Sequence, residues 1–248
     1  MSGPALNHPG RAPVFCAIDT ADAEAALALA RQVTPYLAGL KLGMEFFYGA
    51  GPRAAGRLAE LGAPIFLDLK CHDIPNTVAG AIRGLMPLRP AFLTLHTQGG
   101  TAMMQAARDA AEAEAARLGC QRPALLGVTV LTSLDDGDLT ALGIGDRPAD
   151  QVVRLARLAQ AAGLDGLVCS AHEIASVRTA VGSALDLVVP GIRPAGAATG
   201  DQKRVMTPKA ALEAGATYLV IGRPLTVAAD PGAAAADLAR SLTPAGAS

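Results

Sequence analysis

The sequence predicts an α/β protein, a single (β/α)8 TIM barrel, on three observations. Short apolar runs of strand-like composition alternate with alanine-rich runs of helical composition, and the alternation occurs eight times. The strand-like runs are apolar almost throughout, the pattern of parallel strands buried on both faces. A chain of 248 residues is long enough for eight such units to close on themselves. The principal rival, an open doubly wound sheet, usually carries a glycine fingerprint after its first strand. Here that junction reads CAIDTADAEAA, without a glycine.

Residues 1–12 are polar and proline-bearing, with no apolar core of the kind a signal peptide needs, and are expected to form a flexible tail. The barrel is placed at 13–243. PVFCAID (13–19) leads into ADAEAALALARQVTPYL, and AGLKLG (38–43) into a helix around 52–61. APIFLDLK (63–70) precedes a helix around 76–86, and AFLTLHT (91–97) precedes TAMMQAARDAAEAEAARLG. ALLGVTVLTS (124–133) is followed by a loop and ADQVVRLARLAQAAG, and GLVCSA (166–171) by HEIASVRTAVG. LDLVVPGI (185–192) opens a long loop before TPKAALEAG, and TYLVIGRP (217–224) precedes LTVAADPGAAAADLARSL. Alanine is the best helix former, so the low-complexity runs read as outer helices. No shift in composition marks a second domain.

Composition narrows the function. Hydrophobic residues make up 51% of the chain and charged ones 17%, enough for a large core. A formal net charge of −1 provides no global field for nucleic acid or anionic membrane, so neither is an expected partner. No apolar run reaches the ~18 residues of a membrane span. Cys16, Cys71, Cys120 and Cys169 form no CxxC pair and read as free thiols in a reducing cytoplasm.

Barrel chemistry sits at the C-terminal ends of the strands, and there the polar residues gather. Asp19 ends the first strand, Lys41 the second, and Asp68 with Lys70 the third, their i, i+2 spacing placing both on one face. Asp73 lies just beyond. His96 ends the fourth strand, Thr132 and Ser133 the fifth; Arg193 follows the seventh, and Gly222 with Arg223 ends the eighth. For any single residue a plainer reading exists: Asp19 could cap the next helix, Lys41 could reach solvent, and His96 could be a packed, hydrogen-bonded residue. Opposite charges crowded at adjacent strand tips are harder to dismiss, because they cost desolvation. His72 lies between the charged residues and is expected to point away from the axis. A metal held by His72, His96 and a carboxylate is disfavoured by the two lysines. At the last strand, Gly222 would let the backbone approach a phosphate and Arg223 would grip it. The glycine-bearing loop before it, with Gln202, reads as a lid.

FLDLKCHDIPNT (66–77) resembles the signature of the orotidine 5′-phosphate decarboxylase family, and VTVLTS, GIRP, GDQKRVMTP and VIGRP follow in that family's order. The resemblance spans the chain from the Asp19 strand to the Arg223 strand. It implies decarboxylation of orotidine 5′-phosphate to UMP without metal or organic cofactor. It also implies a Lys41–Asp68–Lys70–Asp73 array with Lys70 as catalytic lysine, and Asp19 and Lys41 as ribose-side contacts. Thr132 and Ser133 fall at the nucleotide, with Ser133 toward the pyrimidine. By the same resemblance, Arg193, Gln202, Gly222 and Arg223 are expected to hold the phosphate end. The family's homodimer implies that Asp73 and Thr77, flanking the turn at Ile74 (itself a substrate-side position), complete the neighbour's site. Two other readings remain at this point. One is a magnesium-dependent sugar-phosphate decarboxylase or aldolase of the same superfamily, against which Lys41 stands where an acidic ligand would be expected. The other is a catalytically silent barrel that binds nucleotides.

Overall fold

The computed structural model describes residues 10–193 and 206–242. In chain order the elements are β1 (Ala12–Ile18), α1 (Ala23–Val33), β2 (Leu37–Gly43), α2 (Met44–Ala59), β3 (Ile65–Cys71), α3 (Pro75–Leu85), β4 (Phe92–His96) and α4 (Gly100–Leu118). There follow β5 (Ala124–Val128), α5 (Asp136–Ala141), α6 (Pro148–Ala161), β6 (Gly166–Val168), α7 (Ile174–Val181), β7 (Asp186–Val189), α8 (Pro208–Glu213), β8 (Tyr218–Ile221), α9 (Arg223–Thr226) and α10 (Pro231–Leu242). All neighbouring strands are parallel, and β8 pairs with β1 to close an eight-stranded barrel.

Two apolar cores explain the unbroken hydrophobic runs. One face of each strand packs against the helix ring, as Ile18, Leu42, Leu67 and Leu93 do. The other face fills the lumen with Phe15, Phe66, Phe92, Tyr218 and smaller residues. Phe15 touches three aromatic neighbours, with ring centroids 5.2 Å from Phe92, 5.5 Å from Phe66 and 5.7 Å from Tyr218. Gly39 makes room for that ring: a Cβ there would lie 2.7 Å from Phe15 Cε1 and 2.3 Å from the Pro64 carbonyl oxygen.

Several element boundaries differ from the sequence expectation, each for a local reason. The second helix begins at Met44, and Gly51 (φ 82°) with Pro52 kinks it where the expected helix begins. The fifth strand stops at Val128; the Thr129 hydroxyl donates to the Val168 carbonyl at 3.0 Å and the chain leaves the ladder. Thr132 and Ser133 therefore lie past the strand, in a turn closed by the Leu134 N–H donating to Leu131 O at 3.0 Å. The last helical run is divided, because Pro231 starts a new helix after α9. Among the described residues no helix is long and apolar enough to cross a membrane.

Candidate active site

Strand β3 carries the centre of the site. Its first residues pair regularly with β4, but Leu67 opposes Leu93 while Cys71 opposes Leu95, so four steps of one strand face two of the other. The extra length is absorbed at Lys70, whose backbone is left-handed (φ 50°), a strained conformation for a residue with a Cβ. The side chains of Asp68 and Lys70 do meet, with Lys70 Nζ donating to Asp68 Oδ2 at 2.8 Å. The meeting is made by a bent strand end and not by flat alternation.

Lys41 approaches the same oxygen from β2, with Nζ 3.5 Å from Asp68 Oδ2 and 3.7 Å from Asp19 Oδ1. Asp19 does not cap the first helix. That task falls to Asp22, which accepts from the N–H groups of Glu24 and Ala25 at 2.9 and 3.1 Å. Asp19 is left at the rim with its side chain 56% exposed, while Lys41 and Asp68 show only 11% and 12%. Burial by itself would raise the Asp68 carboxyl. Lys41, Lys70 and the hydrogen bonds from Lys70 and Thr94 outweigh it and hold the carboxyl below its ordinary 3.8. Asp68 is thus an anion at neutral pH, clasped by two cations.

Thr94 was not among the residues singled out from the sequence. Its hydroxyl, fully buried on β4, donates to Asp68 Oδ1 at 3.0 Å and accepts from the Lys70 N–H at 2.9 Å. The one available signal was a polar residue inside the apolar run FLTLH, at the parity of His96. His96 is half-buried, its ring centroid 5.4 Å from that of His72. Burial first, then the charges of His72 and Lys70, push its pKa below 6.5.

The charged group forms one wall of a cavity of about 220 Å³. Val128, Val130, Val168, Cys169 and Val220 supply an apolar wall, and Thr132 also lines it. A planar ring could lie against the valines with one edge turned to Lys70. Burial drives the Cys169 thiol up to about 12, so it presents a neutral S–H there. Ser133 is exposed beside Thr132 and outside this lining.

Toward the other end of the mouth, Arg193 is buried after β7 and Arg223 opens α9. Burial, and then the like charge of Arg223, push the Arg193 guanidinium down from its ordinary value, so the two cations lie close enough to repel. Gly222 sits over Asp19, with the position of a Cβ 3.6 Å from Asp19 Oδ2. Its φ of −107° and ψ of −104° fall outside the ordinary helix and strand regions, and a Cβ would make only ordinary contacts with the protein. Gln202 and most of the expected lid lie outside the described residues.

Asp73, Ile74 and Thr77 stand apart from the cluster. All three are exposed. The Asp73 carboxylate accepts from its neighbour's N–H, at Ile74, at 2.6 Å, and among the described residues it forms no ion pair with Lys70. No group of three or more His, Cys, Asp or Glu side chains among the described residues is arranged to hold a metal ion.

A family model described as orotidine 5′-phosphate decarboxylase / HUMPS family matches residues 12–238. The chain belongs to this family. Within it, the chain is 53% identical over 224 residues to the orotidine 5′-phosphate decarboxylase of Rhodospirillum rubrum, covering 90% of this chain and 91% of that protein. It is 50% identical over 230 residues to that of Sphingopyxis alaskensis, covering 93% and 99% respectively. The crystal structure of orotidine 5′-phosphate decarboxylase from Lactobacillus acidophilus superposes with a TM-score of 0.82 at 36% identity, covering 93% of this chain and 99% of that one. The barrel, its closure and its single-domain organisation are thus those of the orotidine 5′-phosphate decarboxylase family.

Proposed function

We propose that this chain decarboxylates orotidine 5′-phosphate to uridine 5′-monophosphate and CO2 in pyrimidine biosynthesis, with Lys70 as the proton donor to C6. Family membership and relatives of that name at about half identity support the reaction. The observation that carries the residue assignment is Asp68 Oδ2 held between Lys70 at 2.8 Å and Lys41 at 3.5 Å at the edge of a cavity with an apolar opposite wall.

The chemistry needs such a group. When the C6–carboxylate bond breaks, CO2 departs and the electron pair stays in an sp² orbital in the plane of the ring, where no carbonyl π system overlaps it. An ammonium beside C6 stabilises that pair and then transfers a proton to it, forming the C6–H bond. Asp68 pairs with Lys70 and aims it, and Lys41 balances the carboxylates. In this reading the lysine does the work of a cation, and no metal or organic cofactor takes part. Arg193 and Arg223, with Gln202, take the phosphate, and that remote grip helps order the charged array. The test is the loss of orotidine 5′-phosphate absorbance in the presence of EDTA. Turnover at an undiminished rate is expected; activity that vanishes and returns with added magnesium would favour the sugar-phosphate type of site instead.

The same reading makes the active unit a two-fold dimer in the cytoplasm. Asp73 and Thr77 are exposed in the isolated chain, and the Asp73 carboxylate accepts from the Ile74 N–H, which suits residues that finish a neighbour's pocket. A mixture of Lys70→Ala and Asp73→Ala proteins, each inactive alone, places both defects in one pocket of a heterodimer and leaves the other sound. Subunit exchange should restore about one quarter of wild-type activity at equal random mixing. Verified exchange with no recovery would mean that Asp73 serves its own chain.

A further inference from the structure

We propose that Thr94 is a positioning residue for the reaction: its single buried hydroxyl locks the bent end of β3 and so aims both the Lys70 ammonium and the Asp68 carboxylate. The inference rests on the assignment of Lys70 made above.

The argument starts from the break in the ladder. Between the Leu67–Leu93 and Cys71–Leu95 pairs, β3 runs two residues longer than β4. The N–H of Lys70 falls in this irregular stretch, and a donor buried there needs an acceptor. Thr94 Oγ1 supplies it at 2.9 Å. The same oxygen has one proton to give, and gives it to Asp68 Oδ1 at 3.0 Å. A hydroxyl is the smallest side-chain group that can accept from one partner and donate to another. A carboxamide would need more room, and Thr94 has no exposed surface.

The two bonds have different consequences. The first holds Lys70 in its left-handed backbone conformation (φ 50°), which an L-residue does not keep without surrounding support. That conformation turns the side chain back toward the lumen. The second fixes one oxygen of Asp68, so that the other, Oδ2, is the one presented to Lys70 at 2.8 Å and Lys41 at 3.5 Å. Thr94 touches neither cavity nor rim among the lining residues. It acts through Asp68 and Lys70, and its loss should reach the rate and spare substrate binding.

Thr94→Val keeps the shape and removes the hydroxyl; Thr94→Ser keeps the hydroxyl and loses a methyl. The valine variant should lose about 10- to 100-fold in kcat, the loss of hydrogen bonds to charged or strained groups. KM for orotidine 5′-phosphate should change by no more than about threefold, since phosphate and ribose contacts lie elsewhere. The serine variant should recover most of the rate even though its cavity makes it the less well packed of the two. Should valine prevent folding, Thr94→Ala removes the hydroxyl without adding an apolar branch and is compared with serine in the same way. Wild-type kcat in a folded valine or alanine variant overturns the inference. So does a serine variant as slow as valine, which would point to packing. Lys70→Ala separates the two levels of the argument: if it keeps its rate, the Lys70 assignment fails; if it is dead while Thr94→Val is unimpaired, only the role of Thr94 fails.

Discussion

The two halves of the barrel lumen are built on the same strands and the same inward face, two residues apart, and they behave as different materials. In the lower half, Phe15, Phe66, Phe92 and Tyr218 pack ring on ring with centroids 5.2–5.8 Å apart. Two residues further along β3 and β4, Phe66 gives way to Asp68 and Phe92 to Thr94; Lys41 of β2 pairs with Phe66 in the ladder and sends its ammonium up to Asp68. The lower layer buries apolar area and asks only to be filled. The upper layer holds an anion between two cations, desolvated and hydrogen-bonded in one arrangement, and gains little stability from it. The aromatic layer is the floor on which the charged layer stands: it excludes water beneath Asp68 and fixes the strands whose tips must converge. Stability and chemistry are thus separated by about one residue pair of strand, and substitutions on either side of that line should fail in different ways.

Lys70→Ala should produce the largest effect, and in one property only. Turnover should fall by at least the ~10²–10⁴-fold attributed to general acid catalysis, with the electrostatic contribution added. Stability should change by no more than about 1–2 kcal/mol, because Asp68 keeps Lys41 and Thr94, while alanine in the left-handed conformation is no easier than lysine. Stopped turnover with an unchanged denaturation midpoint sustains the division; near-wild-type turnover in the folded variant would falsify the assignment.

Phe92→Ala is the converse. Its ring is fully buried among Phe15, Phe66 and Tyr218. Truncation should cost about 3–5 kcal/mol of unfolding free energy through lost burial and a cavity. The folded fraction should keep kcat within about tenfold of wild type, since the charged layer is held by its own hydrogen bonds. Denaturant titration together with kcat per folded site checks both halves of this statement. A variant that is stable but inactive would show that the two layers are one unit.

This division also explains what the sequence made legible. Eight apolar runs separated by alanine-rich helices carried the barrel, because burial on both faces of a parallel strand leaves a signature in composition alone. The charged residues at strand tips were visible because nothing in the packing of a core calls for them. Thr94 was hidden by its own role: a threonine suits a strand, and its function depends on a register break that no local pattern announces. Thr132 and Ser133 were placed on a strand because the apolar run continues past Val128, although there it lines a cavity and not a sheet. The left-handed Lys70 was invisible for a similar reason: the i, i+2 rule brought it beside Asp68 without the bend that achieves the meeting.

The smallest effect belongs to His96, two residues past Thr94 on β4 and so at the upper edge of the charged layer. Burial, then His72 and Lys70, lower its pKa, with Asp68 opposing. The imidazole is therefore harder to protonate in the folded chain than at its ordinary 6.5. Between that value and the lower folded one, the unfolded chain binds more protons. The stability linked to His96 is present in full above about 6.5 and is lost as pH falls toward the folded value. His96→Gln, which cannot titrate, should flatten this part of the profile. Because the ring is half-buried, solvent screening keeps the difference small. Urea midpoints for both proteins, one on each side of 6.5, provide the measurement: the wild type should lose more on acidification than the variant. Equal losses would place His96 outside the desolvated layer and leave Asp68 and Lys70 as the upper limit of the charged cluster.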